Sequence, residues 1–162
     1  MDAPAYYLDD GKMVSEFGLE RFICNAALLD LSHKKPGQPI DDEDLEAAEE
    51  AAGVGLREGE AVILYTRPDE SIHEKENVYL SQNGAEYLEF KSVGLVGVDS
   101  VSIDASGSTE LTAHRILLGK EILILEGLRN IRSVESTRFR LYAVPIWLGG
   151  ATAPVRALAM LD

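Results

Sequence analysis

The chain has 162 residues, 46% hydrophobic and 27% charged, the balance of one globular domain large enough to bury a sizeable core. Twenty-eight acidic against 15 basic residues leave a formal charge of −13, a surface that repels phosphate backbones and argues against nucleic acid as a partner. No apolar stretch approaches the ~20 residues of a membrane span, no signal-peptide pattern opens the chain, and a single cysteine, Cys24, rules out an internal disulfide framework, so a cytoplasmic protein with no membrane partner is expected.

Residues 1–14 read as irregular, with Pro4, Asp9, Asp10 and Gly11 marking a turn. A short helix is expected over 16–24, leading into a strand over 26–31. Pro36-Gly-Gln-Pro39 is a loop, after which Asp41 caps a helix to about Ala52. The acidic run over 41–50 reads as a solvated helix face; the alternative, a calcium site, lacks the glycine and ligand alternation of an EF-hand. A strand over 61–66 precedes a polar loop over 67–78, where His73 stands among charged residues. Ser81 caps a helix through about Ser92, with Ala85, Leu88 and Phe90 assigned to its inner face. Strands follow over 93–98, 122–125, 139–144 and 155–160, with a short helix over 111–118 carrying His114. Strands alternate with helices as far as residue 125 and then dominate, which predicts a single α/β or mixed β/α domain over 1–162.

His114 and Glu126 stand twelve residues apart in a segment otherwise almost wholly apolar. A carboxylate closing a buried strand must be paired, hydrogen-bonded or bound to a cation, because desolvating it alone is costly. An imidazole converging on it suits a divalent metal such as zinc, and a structural His–Glu contact is the plainer alternative. Asp99, Ser102, Asp104 and Glu126 each follow an apolar strand or its first turn. Ligands of open α/β sheets sit beyond such carboxyl ends, so one shared pocket is expected there. Cys24, within Phe22-Ile23-Cys24, reads as a buried inert thiol. Trp147 and Tyr142 read as core or subunit-interface residues, with the wall of an apolar pocket as the alternative.

Six short segments carry a family likeness: Ala27-Leu-Leu-Asp-Leu-Ser-His33, Leu56-Arg-Glu-Gly-Glu-Ala-Val-Ile-Leu64, Val96-Gly-Val-Asp-Ser-Val-Ser-Ile-Asp104, His114-Arg-Ile-Leu-Leu-Gly119, Glu126-Gly-Leu-Arg-Asn130 and Pro154-Val-Arg-Ala-Leu158. In order and spacing they resemble the cyclase family of metal-dependent hydrolases, which includes bacterial kynurenine formamidases and isatin hydrolases. The resemblance implies a mixed β/β/α, swivelling-domain-like fold and a metal-site signature HxGTHxDxPxH. In that signature the two leading histidines and the aspartate bind metal, the last histidine is an acid/base, and a later His and Glu complete the site. Matched to it, Asp2 takes the aspartate position and Pro4 the proline, while His114 and Glu126 take the later ligand positions. Asp2, His114 and Glu126 are thereby the expected ligands of zinc or manganese. Tyr6 falls on the last histidine; with an ordinary pKa of about 10 it is a poorer general base at neutral pH, and its expected role is hydrogen-bond donor to substrate. Ser102 and Asp104 are expected to orient the site from behind the ligands, a turn that caps the next segment being the alternative for both.

By the same resemblance the metal lowers the pKa of water for attack on the carbonyl of a small aryl or cyclic amide, and the chain assembles as a homodimer or homotetramer. Met1 falls on the variable position before the signature aspartate and reads as an internal methionine. The Gly-Thr-His stretch with both leading histidines, and the family's opening strands, are expected to lie outside this sequence, leaving apolar sheet edges that favour association. Three readings stay open: a hydrolase whose sequence starts late, a short homologue that has lost catalysis and serves as a binding or assembly protein, and a different metal-dependent activity on the reduced ligand set with Tyr6.

Overall fold

Aliphatic runs, apolar on both faces, build the middle of one sheet. In the computed structural model, which describes residues 1–66 and 76–161, the elements in order are β1 (Ile23–Asp30), β2 (Pro39–Ile40), α1 (Asp42–Ala52), β3 (Ala61–Tyr65), β4 (Tyr79–Leu80), α2 (Gln82–Phe90), β5 (Leu95–Val98), α3 (Thr112–Gly119), β6 (Leu123–Leu125), β7 (Arg138–Tyr142) and β8 (Leu158–Met160). The main sheet has the order β6-β5-β3-β1-β7-β8, and β2 pairs with β4 in a small parallel ladder. The strands β1, β3, β5 and β6 run parallel, and β7 and β8 are added antiparallel beyond β1.

The chain steps in one direction from β1 through β3 and β5 to β6. Right-handed crossovers in a constant direction put every connecting helix on the same face of the sheet. One core cluster accordingly packs Leu45 and Ala48 of α1, Ala85 and Leu88 of α2, and Ala113, Leu117 and Leu118 of α3 against Val62, Leu64, Val96, Val98 and Ile124. The second cluster lies on the other face, where Ala26, Ile63, Leu95, Leu123 and Leu125 are covered by Ala3, Val14, Phe22, Ile131 and Ala153 rather than by an α-helix. The same parallel direction brings the carboxyl ends of β5 and β6 together, with Gly97 opposite Leu125. The site lies beyond these ends.

The helices at Asp42, Gln82 and Thr112 match the sequence reading closely, and Gly53 ends α1 in the left-handed conformation at φ 64°. Two expectations are corrected. No α-helix forms over 16–24: 3₁₀ turns occupy Val14–Glu16 and Leu19–Arg21, and β1 already begins at Ile23. Pairing of Ile23 with Tyr142 and burial of Phe22 and Cys24 outweigh the helical pattern. Phe90 does not face inward and is 82% exposed; two residues beyond Leu88 it is turned about 200° around the helix, away from the core. Cys24 is buried, as expected. His73 lies outside the described residues. No helix among the described residues is long and apolar enough to cross a membrane.

Candidate metal centre

The free edge of β6 holds the start of the chain. The Asp2 N–H donates to the Ile124 carbonyl at 2.8 Å, and its own carbonyl accepts from the Ile124 N–H at 3.2 Å. On its other side the Met1 ammonium donates to the Ala153 carbonyl at 3.0 Å and the Ala3 N–H to that of Ala151, also at 3.0 Å. Residues 1–3, read from sequence as irregular, thus satisfy the unpaired backbone of an edge strand and bring Asp2 beside Glu126.

His114 lies in the first turn of α3 and is 3% exposed. The residue before this helix, Leu111, sits at φ 46° and offers no side-chain cap. Asp104 caps the helix instead: its Oδ1 accepts from the Ala113 N–H at 2.8 Å and its Oδ2 from the His114 N–H at 3.1 Å. The same Oδ2 lies 2.6 Å from His114 Nδ1. An ionised carboxylate can only accept, so Nδ1 carries the proton and Nε2 turns its lone pair the other way. Nε2 is 3.5 Å from Glu126 Oε1 and 3.9 Å from Asp2 Oδ2. Glu126 is aimed by the Ile103 N–H, which donates to its Oε1 at 2.7 Å. One ligand atom each from Asp2, His114 and Glu126 lies within 4.8 Å of the others. One imidazole nitrogen and two carboxylates are donors that zinc and manganese accept, so the residues fit a divalent ion.

The electrostatics point the same way. Burial pushes the Asp2 carboxyl above its ordinary range, against the pull of the N-terminal ammonium and His114. Burial likewise raises Glu126, reinforced by Asp2 and opposed by the Ile103 N–H and His114. For His114, burial alone would lower the pKa, but the Asp104 hydrogen bond and the charges of Glu126, Asp104 and Asp2 carry it above its ordinary 6.5. Burial acts to raise Asp104 too, and is outweighed by the His114 ring and the N–H groups of Ala113 and His114, which leave it lowered. Burial thus disfavours the charged forms of Asp2 and Glu126, while the His114 ring favours the charged form of Asp104.

The sign of the pH dependence follows. Asp2, Glu126 and His114 all have folded pKa values above their unfolded ones. Each therefore contributes stability that is fully present below its unfolded pKa and lost as pH rises through the folded value. The metal-free protein is expected to melt at a lower temperature at pH 8 than at pH 6. Added zinc should stabilise more at pH 8, because metal competes with protons for these donors. Thermal melts at the two pH values, with and without zinc, check this; a zinc-induced shift that shrinks with rising pH would contradict it.

The remaining expectations divide. Asp104 joins the cluster directly. Ser102 meets Asp104, its Oγ accepting from the Asp104 N–H at 3.2 Å, while its carbonyl accepts from Asn77 Nδ2 and Ser100 Oγ at 2.8 and 2.6 Å. The Tyr6 ring, 48% exposed, lies 5.5 Å from the His114 ring, tilted by 38°. Asp99 is drawn away from the cluster: its carboxylate accepts from the Thr66 N–H at 2.9 Å and the Thr66 hydroxyl at 2.6 Å, tying the ends of β3 and β5. Among the described residues no other His, Cys, Asp and Glu set is grouped to hold an ion, and the acidic run is not wholly a solvated face: Glu49 is buried and accepts from the Leu56 N–H at 2.9 Å and the Tyr87 hydroxyl at 2.6 Å. A cavity of ≈ 490 Å³ on the face of the sheet that carries no α-helix, lined by Leu28, Ile63, Leu128 and Phe139 among others, meets the cluster only at Glu126.

Asn77 went unnoticed in the sequence. Its buried amide donates to the carbonyls of Val78, Ser102 and Asp104 at 3.1, 2.8 and 2.9 Å and fixes the loop that carries Asp104 and Ile103. A lone asparagine beside a polar stretch gives no local signal of that role.

Fold and site define a mixed α/β protein with a histidine and two carboxylates gathered beyond the carboxyl ends of its parallel strands. Residues 1–105 match the family described as "Putative cyclase". A kynurenine formamidase of Sphingopyxis alaskensis is 33% identical over 161 residues, covering 97% of this chain and 72% of the relative. Among solved structures, a potential metal-dependent hydrolase with cyclase activity is 26% identical at a TM-score of 0.81, over 98% of this chain and 75% of the other. Isatin hydrolase A from Labrenzia aggregata shares the fold at a TM-score of 0.86 and 23% identity, over 99% of this chain and 71% of the other. The chain belongs to the cyclase family.

Proposed function

We propose that this chain is a metal-dependent hydrolase of a small aryl or cyclic amide, with Asp2, His114 and Glu126 holding zinc or, alternatively, manganese. The observation that carries this reading is the convergence of His114 Nε2 with two partly buried carboxylates while Asp104 holds the opposite ring nitrogen. The formamidase relative supports an aryl formamide as the substrate class. When bound, the metal supplies Lewis-acid chemistry, polarising the amide carbonyl and making water acidic. Asp104 keeps the proton on Nδ1 and so keeps Nε2 a donor to metal. The Ile103 N–H keeps Glu126 facing the same point. Tyr6, beside the His114 ring, donates a hydrogen bond to the substrate, where the family signature has an acid/base histidine.

Metal analysis of the purified chain, paired with an arylformamide hydrolysis assay, tests the reading. Bound zinc or manganese near stoichiometry is expected, with turnover lost to a chelator. Tyr6→Phe should lower turnover about tenfold at unchanged metal content. A metal-free, inactive protein would sink the hydrolase and favour the binding or assembly role that Tyr6, in the place of a histidine, also suits.

We infer a homo-oligomer, dimer or tetramer, in the cytoplasm. An exposed apolar patch supports the assembly, with Trp147 79%, Leu148 64% and Ile146 59% exposed on one loop. Light scattering should return a mass of at least two chains; a well-behaved monomer would count against it. The single buried thiol suits a reducing compartment.

A further inference from the structure

Two adjacent tyrosines lie against two adjacent residues of α3. Tyr6 faces His114, and the Tyr7 hydroxyl accepts from the next residue, Arg115, at 3.2 Å from Nε and 2.9 Å from Nη2. The guanidinium carbon also lies 5.5 Å from the centre of the Tyr7 ring, and Nη2 donates to the Glu110 carbonyl at 3.3 Å. Arg115 is exposed yet held by two residues, Tyr7 and Glu110. Its contacts are a phenol and a carbonyl: in a chain with 28 acidic residues, no described carboxylate pairs with it, and its Nη1 donates to no described residue. A guanidinium fixed by neutral groups keeps its charge and one donor edge available to an anion. The side chains paired with His114, those of Asp2, Asp104 and Glu126, are all carboxylates, so an anionic substrate gains from a cation beside them, and Arg115 follows His114 directly in α3.

We propose that Arg115, positioned by Tyr7, binds a carboxylate carried by the amide substrate and selects anionic aryl amides over uncharged ones. The inference rests on the hydrolase reading above and names the substrate class of that site.

The experiment compares kcat/KM for an aryl formamide bearing a ring carboxylate (N-formylanthranilate) with that for formanilide, using the zinc-loaded full chain. In parallel, benzoate and benzamide are titrated against the metal-free chain. The wild type should prefer the carboxylated member of each pair, less so at high salt. Arg115→Gln should lower both preferences about tenfold, and Arg115→Lys should restore part, the charge returning without the planar fork. Preferences in Arg115→Gln within about twofold of wild type, with its circular dichroism unchanged, would overturn the proposal. Should that variant not fold, Tyr7→Phe carries the same test, since a released guanidinium should also lose selectivity. A wild type that hydrolyses neither formamide but prefers benzoate through Arg115 would overturn the hydrolase reading and uphold the anion site. Loss of both would overturn both.

Discussion

His114→Ala is expected to weaken zinc binding by at least ~100-fold and to remove metal-dependent turnover. The imidazole is the one nitrogen donor of the cluster and stands between Asp2 and Glu126, at 3.9 and 3.5 Å. Without it, two partly buried carboxylates remain whose pKa values burial has already raised. Such a pair offers oxygen donors alone, and burial disfavours the charged carboxylates that an ion requires. Changes behind a metal ligand typically cost 10–100-fold in affinity, and loss of the ligand itself should cost no less. Isothermal titration of zinc into wild type and variant reads the effect; a variant that binds zinc within about tenfold of wild type would remove His114 from the ligand set. Fold loss is a poor explanation in advance, because Asp104 would still cap α3 through the Ala113 N–H and the backbone of residue 114.

Asp104→Ala is expected to lower stability by roughly 2–4 kcal/mol, since one carboxylate serves two helix N–H groups and a buried ring. For a domain of this size that is a drop of about 5–15 °C in Tm. Asp104→Asn separates the two roles. An asparagine oxygen still accepts from the backbone, so the stability loss should be smaller. The ring, however, loses its anionic partner, Nδ1 is no longer held as the protonated nitrogen, and zinc affinity should fall 10–100-fold. Calorimetry and zinc titration on the two variants check the split. Equal zinc affinity in Asp104→Asn and wild type would make Asp104 a helix cap and nothing more.

Much of the architecture was legible locally. The aliphatic runs that became β3, β5 and β6 and the caps Asp41 and Ser81 act within a few residues, so pattern and cap chemistry suffice to find them. The helix expected over 16–24 failed because Ile23 gains a partner strand far along the chain in Tyr142, and no local propensity reports that. Of the site, His114 and Glu126 stood out as polar residues that a buried segment must satisfy. Asp2 and Tyr6 came only through the family signature. Ser102 touches Asp104, behind the His114 ring, and Asn77 and Tyr7 carried no sequence signal.

By itself, then, the sequence determined an alternation of strands and helices in an α/β or mixed β/α domain and a carboxylate at a strand end that demands a partner. Apolar periodicity and desolvation are properties of short segments. Only the tertiary structure decided which groups meet there. The edge of β6 recruits residues 1–3, the loop after β5 returns Asp104 to the start of α3, and Tyr7 closes on Arg115. These contacts join residues remote in the chain, and their energy exists only once the sheet has set the distances between them.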